Sequence, residues 1–314
     1  MTRRCLLFAC VLMVSAVAPA CRADGPGFTR QEDVVYGRKY GSALTMDVFR
    51  PTKNANGRGL IFVVSGGWFS SHEGINGGFV KALTDRGYTV FAVVHGSQPR
   101  YAIPEVFQDM LRSVRFIRTH AKDYNIDPDK LGVYGGSAGG HLSLMIGTAG
   151  EPANPGAKDP VDRASSRVAA VACFFPPTDF LNYGHDGVDA LGRGVLSGFK
   201  APFDFQELDR TRNVFVPVVD EAERQRIGRS ISPANHVSPD DPPTLIMHGD
   251  ADQLVPIQQS ERIVAKLRAA KVPVSLVVKH GAVHGWGGMD KDLEAFADWF
   301  DQYLKPVKAT ASKP

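Results

Sequence analysis

Leu131-Gly132-Val133-Tyr134-Gly135-Gly136-Ser137-Ala138-Gly139-Gly140-His141 is the stretch that decides how this sequence folds. An apolar run passes into Gly-x-Ser-x-Gly and then into the small residues Ala138–Thr148, which suit a helix. The five-residue pattern is weak alone. Between a strand and a helix it describes a sharp bend that lifts the Ser137 hydroxyl out over the end of a sheet. The flanking glycines let the backbone turn tightly and let neighbouring chain pack close.

On either side of this bend, short β-rich runs alternate with helical windows. Val34–Tyr40 and Leu44–Arg50, separated by Gly41-Ser42, predict a leading hairpin. Leu60–Val64, Tyr88–His95, Lys130–Tyr134, Arg167–Phe175, Thr244–His248 and Val272–Lys279 complete a set of eight strands. Several are apolar on both faces, as a parallel sheet covered by helices requires. Helical windows fall at about 75–86, 104–122, 138–149, 257–270 and 290–304. In the second, Val106, Met110, Val114 and Ile117 share one helical face. The alternation predicts a doubly wound, mostly parallel α/β sheet in one domain spanning 24–305. Asp179 to about Ser238 breaks the rhythm, rich in charge, Gly and Pro with no clear strand. So long a structureless loop is improbable, so a partly helical cap at about 180–235 is expected, with Glu221–Arg229 a candidate helix.

A serine hydroxyl is a poor nucleophile until a base takes its proton and a carboxylate orients that base. Asp252 and His284 follow Ser137 in the order serine, acid, histidine, each just after a predicted strand. They lie in His248-Gly-Asp-Ala-Asp252-Gln-Leu-Val-Pro256 and His280-Gly-Ala-Val-His284-Gly-Trp286. Open α/β sheets collect their sites at such strand ends. Asp250 is the alternative acid and His280 the alternative base, although His280 falls at the end of its strand. His248 and His141 read as packed residues that hydrogen-bond locally. An oxyanion would need two backbone donors. Ala138, after the serine, supplies one, and the loop Ser65-Gly66-Gly67-Trp68 supplies the other, with Gly67 the choice and Gly66 and Trp68 the alternates. Trp68 and Trp286 are candidate pocket residues, core packing being the competing role. No His, Cys and carboxylate grouping has ligand spacing, so neither metal nor cofactor is expected.

With these residues in view the sequence resembles an α/β-hydrolase over most of residues 34–305. Tyr134-Gly-Gly-Ser-Ala-Gly-Gly-His141 is similar to the hormone-sensitive-lipase-like esterases and the bacterial feruloyl and acetyl-xylan esterase-like group. His248-Gly-Asp-Ala-Asp252 with Val255-Pro256 is similar to that group and to prolyl-oligopeptidase-like hydrolases. The resemblance implies Ser137 as nucleophile, Asp252 as orienting acid and His284 as base. Those esterases usually carry His-Gly-Gly-Gly before an aromatic residue. Here Val64-Ser65-Gly66-Gly67-Trp68 leaves Val64 where the His would stand, removing a hydrogen bond that steadies the loop. Dienelactone hydrolases place Cys at the elbow, and Ser137 argues against their chemistry.

Composition and charge bound the remaining choices. The 314 residues are 43% apolar and 22% charged, an ordinary globular mix. That excludes disorder, collagen and a polytopic membrane protein. Four Cys in a chain of this length exclude a disulfide scaffold, and Cys173 sits in a strand-like run. Residues 1–23 read as a secretory leader: Arg3 and Arg4, the apolar stretch Leu6–Ala18, then Ala18-Pro19-Ala20. Thirteen residues span about 20 Å as a helix, short of a bilayer core. Losing the leader removes three arginines and takes the net charge from +3 to neutral, so nucleic acid is not an expected partner. Soluble export is the reading. Lipidation of Cys21, with membrane anchoring, is the alternative, and residues 306–314 are expected to form a flexible tail. The expected function is a secreted serine carboxylic-ester hydrolase acting on short-chain acyl or hydroxycinnamoyl esters, polysaccharide esters among them. A prolyl-oligopeptidase-like peptidase and a non-catalytic binding module are the alternatives.

Overall fold

The computed structural model describes residues 27–305. The expected leader at 1–23, Cys21 and the expected tail at 306–314 lie outside the described residues. β1 (Phe28–Lys39) and β2 (Ser42–Pro51) form an antiparallel hairpin, closed by Tyr40 and Gly41 at φ 47° and 80°. β2 pairs antiparallel with β4 (Thr89–Val94), and β4 pairs parallel with β3 (Gly59–Val64). β5 (Leu131–Gly136) and β6 (Ala170–Phe174) continue the parallel ladder. The segment after β6 contributes a short separate hairpin, β7 (Gln206–Asp209) and β8 (Val214–Pro217). β9 (Thr244–Gly249) and β10 (Val274–Lys279) finish the main sheet, whose order is β1-β2-β4-β3-β5-β6-β9-β10. Only β2 runs against the other seven. This is the mostly parallel eight-stranded sheet that the strand pattern predicts.

Both faces of that sheet are buried, and β3 shows why its sequence is continuously apolar. Ile61 and Val63 enter one core cluster, while Leu60, Phe62 and Val64 enter the other. Three helices cover the first face: α2 (Ile103–Thr119), α3 (Ala138–Ala149) and α5 (Gln258–Ala269). The second face is covered by α1 (Gly77–Asp85) and α6 (Met289–Tyr303). Val106, Met110, Val114 and Ile117 of α2 are each fully buried. Each such side chain contributes about 1.5–3 kcal/mol by leaving water. Helix starts follow local chemistry: the Asn76 side chain accepts from Gly78 N at the head of α1, and Glu105 accepts from Ala102 N (3.0 Å) at the head of α2.

Between β6 and β9, α4 (Glu221–Ser230) forms one residue beyond the expected helix, capped by Asp220 accepting from Glu223 N. The same segment was expected to hold no strand, and the β7/β8 hairpin corrects that. Its residues are mostly exposed and β8 ends in Pro217, so no buried face imposes the alternation that marks a strand. The hairpin is instead set by its turn, where Asp209 accepts from Thr211 N and Arg212 N. Among the described residues no helix is long and apolar enough to cross a membrane.

Candidate active site

Ser137 stands between β5 and α3 with φ 54° and ψ −120°, a strained conformation for a residue with a side chain. The surroundings hold it there. Ser137 N donates to Phe174 O (3.0 Å), and Ser137 O accepts from His141 N (2.8 Å). A Cβ at Gly135 would meet the Gly139 backbone at 2.7 Å, and one at Gly139 would meet Val63 O at 2.7 Å. Both glycines are therefore required by close approach of backbone to backbone.

His284 follows β10 and Asp252 follows β9, and the fold brings both to the serine. His284 Nε2 lies 3.0 Å from Ser137 Oγ, and His284 Nδ1 lies 2.7 Å from Asp252 Oδ2. Asp252 Oδ1 accepts from the backbone of Leu254 and Val255, both at 2.9 Å. Burial alone would raise this carboxyl. Hydrogen bonds from His248, His284 and the Val255 backbone outweigh burial and hold Asp252 well below the usual carboxylate range. The imidazole of His284 leans on Phe175, ring centroids 4.5 Å apart.

The alternative acid and base find each other instead. His280 Nδ1 lies 2.8 Å from Asp250 Oδ2, Asp250 Oδ1 accepts from Gly281 N (2.6 Å), and the His280 ring is 87% exposed. His248 is fully buried, with Nδ1 2.6 Å from Ser260 Oγ and Nε2 2.8 Å from Val255 O. A carbonyl only accepts, so Nε2 carries the proton. That proton also faces Asp252 Oδ2 at 3.3 Å, so His248 helps to fix the acid. His141 is fully buried too: it accepts from Trp68 Nε1 at Nδ1 (3.1 Å) and donates from Nε2 to Ile231 O (2.7 Å). Burial pushes its pKa down to about 4, with the Ile231 hydrogen bond opposing in part, so it is neutral at pH 7. Cys173 is buried in β6, where burial pushes its thiol up.

The loop after β3 closes as a two-residue turn. Gly66 N donates to Phe69 O (3.0 Å) and Phe69 N donates to Gly66 O (2.9 Å), with Gly67 and Trp68 at φ 55° and 61° between them. Gly66 N is thereby engaged. The nitrogens of Gly67 and Trp68 have no hydrogen-bond partner among the described residues. Ala138 opens α3, so the helix makes no use of its N–H. Where Val64 replaces the usual histidine, other groups steady the loop. Ser70 Oγ donates to Val64 O (2.5 Å), Ser70 N donates to Ser97 Oγ (2.8 Å), and the Trp68 indole is held by His141.

Beside Ser137 opens a cleft of about 560 Å³ lined by Ser65, Gly66, Phe69, Phe79, Phe175 and Met289 among others. Neither tryptophan lines it, which corrects both pocket assignments. Trp68 is 2% exposed, packed on His141, Phe180 and Phe203. Trp286 packs on Phe174 and Phe175 and donates to Asp292 Oδ2 (2.6 Å). An indole N–H needs a partner, and each found one away from the cleft. Sequence reasoning missed Phe69, Phe79, Phe175 and Met289. Phe69 and Phe175 adjoin the oxyanion loop and β6, so the ends of strands flanking Ser137 were the available signal.

Elsewhere, Asp33, Asp47 and His72 bring ligating atoms within 4.8 Å of one another, a grouping invisible in the sequence. Asp47 is already paired with Arg30, at 2.8 Å from Nε and 2.6 Å from the terminal nitrogen.

The BD-FAE family model matches residues 46–267. The chain belongs to the BD-FAE family. The chain is 29% identical over 254 residues to the probable carboxylic ester hydrolase LipM of Mycobacterium tuberculosis, covering 79% of this chain and 54% of that protein. It is 26% identical to an acetylxylan esterase of Xylanibacter ruminicola, covering 81% of this chain and 45% of that protein. The chain thus spans about half the length of these curated relatives. Among solved structures, a truncated carbohydrate esterase from gut microbiota superposes with a TM-score of 0.72 at 24% identity, covering 91% of this chain and 99% of that one. That likeness establishes the α/β-hydrolase fold.

Proposed function

We propose that the protein is a serine carboxylic-ester hydrolase that works through an acyl-enzyme. The observation that carries this reading is the continuous relay from Ser137 Oγ through His284 to Asp252, at 3.0 and 2.7 Å, opening on the cleft. Ser137 Oγ attacks the ester carbonyl carbon while His284 Nε2 takes its proton. Asp252 holds the imidazole in the tautomer that accepts there and stabilises the imidazolium that forms. The N–H groups of Ala138 and Gly67 receive the oxyanion. Collapse expels the alcohol with the proton from His284, and water, deprotonated by the same imidazole, then releases the acid.

The apolar wall of Phe69, Phe79, Phe175 and Met289 fits a short acyl or hydroxycinnamoyl group. The relatives' names, an acetylxylan esterase and a carbohydrate esterase, support a polysaccharide on the alcohol side. The leader pattern at 1–23 supports export. The test is hydrolysis of p-nitrophenyl acetate, butyrate and octanoate by protein lacking residues 1–23, beside Ser137→Ala. Turnover of the short esters with at least about a 10³-fold loss in the variant upholds the reading. Equal activity of the two proteins refutes it.

A further inference from the structure

A second cleft, of about 320 Å³, lies where the β1–β2 hairpin tip meets the hairpin β7/β8. Its walls are aromatic. Tyr40 stacks on Tyr101, centroids 6.3 Å apart and planes 14° apart, and meets Phe215 edge-on at 6.2 Å. Tyr40 is 63% exposed and Phe215 53%. Its polar side chains are Arg100, Glu105, Asp204 and Gln206. Glu105 accepts from Ala102 N and Arg100 lies over the Tyr101 ring at 5.5 Å, while the side chains of Asp204 and Gln206 make no hydrogen bond or ion pair with any described residue. Tyr101 OH is buried without a partner.

Folding does not explain Tyr40. The turn has two consecutive positive φ values, 47° and 80°, which is the geometry that Asn-Gly fills best. A bulky ring there is strained and remains largely in water. Strain of this kind is retained where a site uses it.

The cleft lies at the same end of the sheet as Ser137. β1, β4 and β5 run parallel, so Tyr40, the loop 96–101 and Ser137 all follow C-terminal strand ends at one edge of the sheet. The order β1-β2-β4-β3-β5 sets Ser137 two strands from β4 and four from β1. At about 4.8 Å per strand this is about 10 and 19 Å across the sheet. Tyr40 stands further out because β1 and β2 run on past the end of β4, a span that takes an oligosaccharide of several rings. The wall is also tied to the oxyanion turn: Gln98 N donates to Trp68 O (3.4 Å), and Phe203, beside Asp204, packs on Trp68.

We infer that this cleft is a distal subsite for sugar rings of a neutral polysaccharide, holding the chain while its ester reaches Ser137. Sugar C–H faces stack on Tyr40 and Phe215, and ring hydroxyls meet Asp204, Gln206 and Arg100. Two carboxylates, Glu105 and Asp204, face the single guanidinium of Arg100, so nothing there favours an acidic chain. The inference rests on the esterase reading for its purpose but not for its measurement.

The test is affinity electrophoresis of the intact protein in gels containing soluble xylan, galactomannan or mixed-linkage β-glucan, with Tyr40→Asn and Phe215→Ala alongside. The wild type is retarded by at least one glycan and both variants run unretarded. Tyr40→Asn melts higher than the wild type, which shows that it is folded. On acetylated xylan kcat/KM falls about two- to tenfold, the loss of one aromatic contact, while p-nitrophenyl acetate hydrolysis is unchanged. A wild type retarded by none of the three glycans, or variants retarded as strongly, overturns the inference. An inert wild type on every ester overturns the esterase reading, and the retardation still decides the cleft.

Discussion

Acidification from pH 7 to 5 destabilises this fold through two histidines that are buried and neutral. His141 and His95 are each pushed down from 6.5 to about 4 by burial, with hydrogen bonds to Ile231 O and Gly96 O opposing in part. The unfolded chain takes up these protons below pH 6.5 while the native one refuses them until about pH 4. Stability is therefore full above pH 6.5 and falls as the pH drops toward 4. Linkage gives a loss of about 2 kcal/mol per histidine between pH 7 and 5. Glutamine at 141 keeps an amide that can accept from Trp68 and donate to Ile231 but does not titrate. Urea unfolding of wild type and His141→Gln at pH 7 and pH 5 reads the effect. The variant starts less stable, and its loss over the interval is smaller by about 2 kcal/mol. Carboxylates contribute equally to both proteins and cancel. The same loss in wild type and variant would refute the assignment of a buried, neutral His141.

Three further outcomes follow from the site. Asp252→Asn lowers kcat by up to about 10⁴-fold because it spoils the orientation of His284, whereas Asp250→Asn, which only frees a surface His280, stays near wild type in the same ester assay. Because Asp252 is held well below the usual carboxylate range, its ionisation produces no limb in a pH–rate profile above about pH 4. Trp68→Phe keeps the ring packing but orphans His141 Nδ1, costing about 1–3 kcal/mol in urea unfolding.

The sheet was legible because burial on both faces writes itself into the sequence. Leu60–Val64 feeds alternate residues to the two cores and so reads as a continuous apolar run. Ser137, Asp252 and His284 were legible because each falls immediately after a strand in an order that chemistry constrains. Asp250 and Asp252 differ only in where the turn after β9 sends them, and that depends on Gly281 and His280 from another loop. The β7/β8 hairpin carried no signal since neither strand has a face to bury. The tryptophans misled for a different reason. Their place beside the oxyanion loop and His284 suggested contact with substrate, but hydrogen bonds to His141 and Asp292 turn the rings away. The cleft lining comes from Phe79, Phe175 and Met289, which three separate segments bring together only in the fold.

Turnover through an acyl-enzyme requires a covalent ester on Ser137, which can be trapped. Acid quench within milliseconds of mixing the protein with p-nitrophenyl butyrate, followed by digestion and mass spectrometry, locates any acyl group. One butyryl group is expected on the peptide containing Ser137, absent from Ser137→Ala and removed by hydrolysis as turnover proceeds. Butyrate release with no adduct on Ser137, or an adduct on another residue that turns over at the same rate, would contradict it.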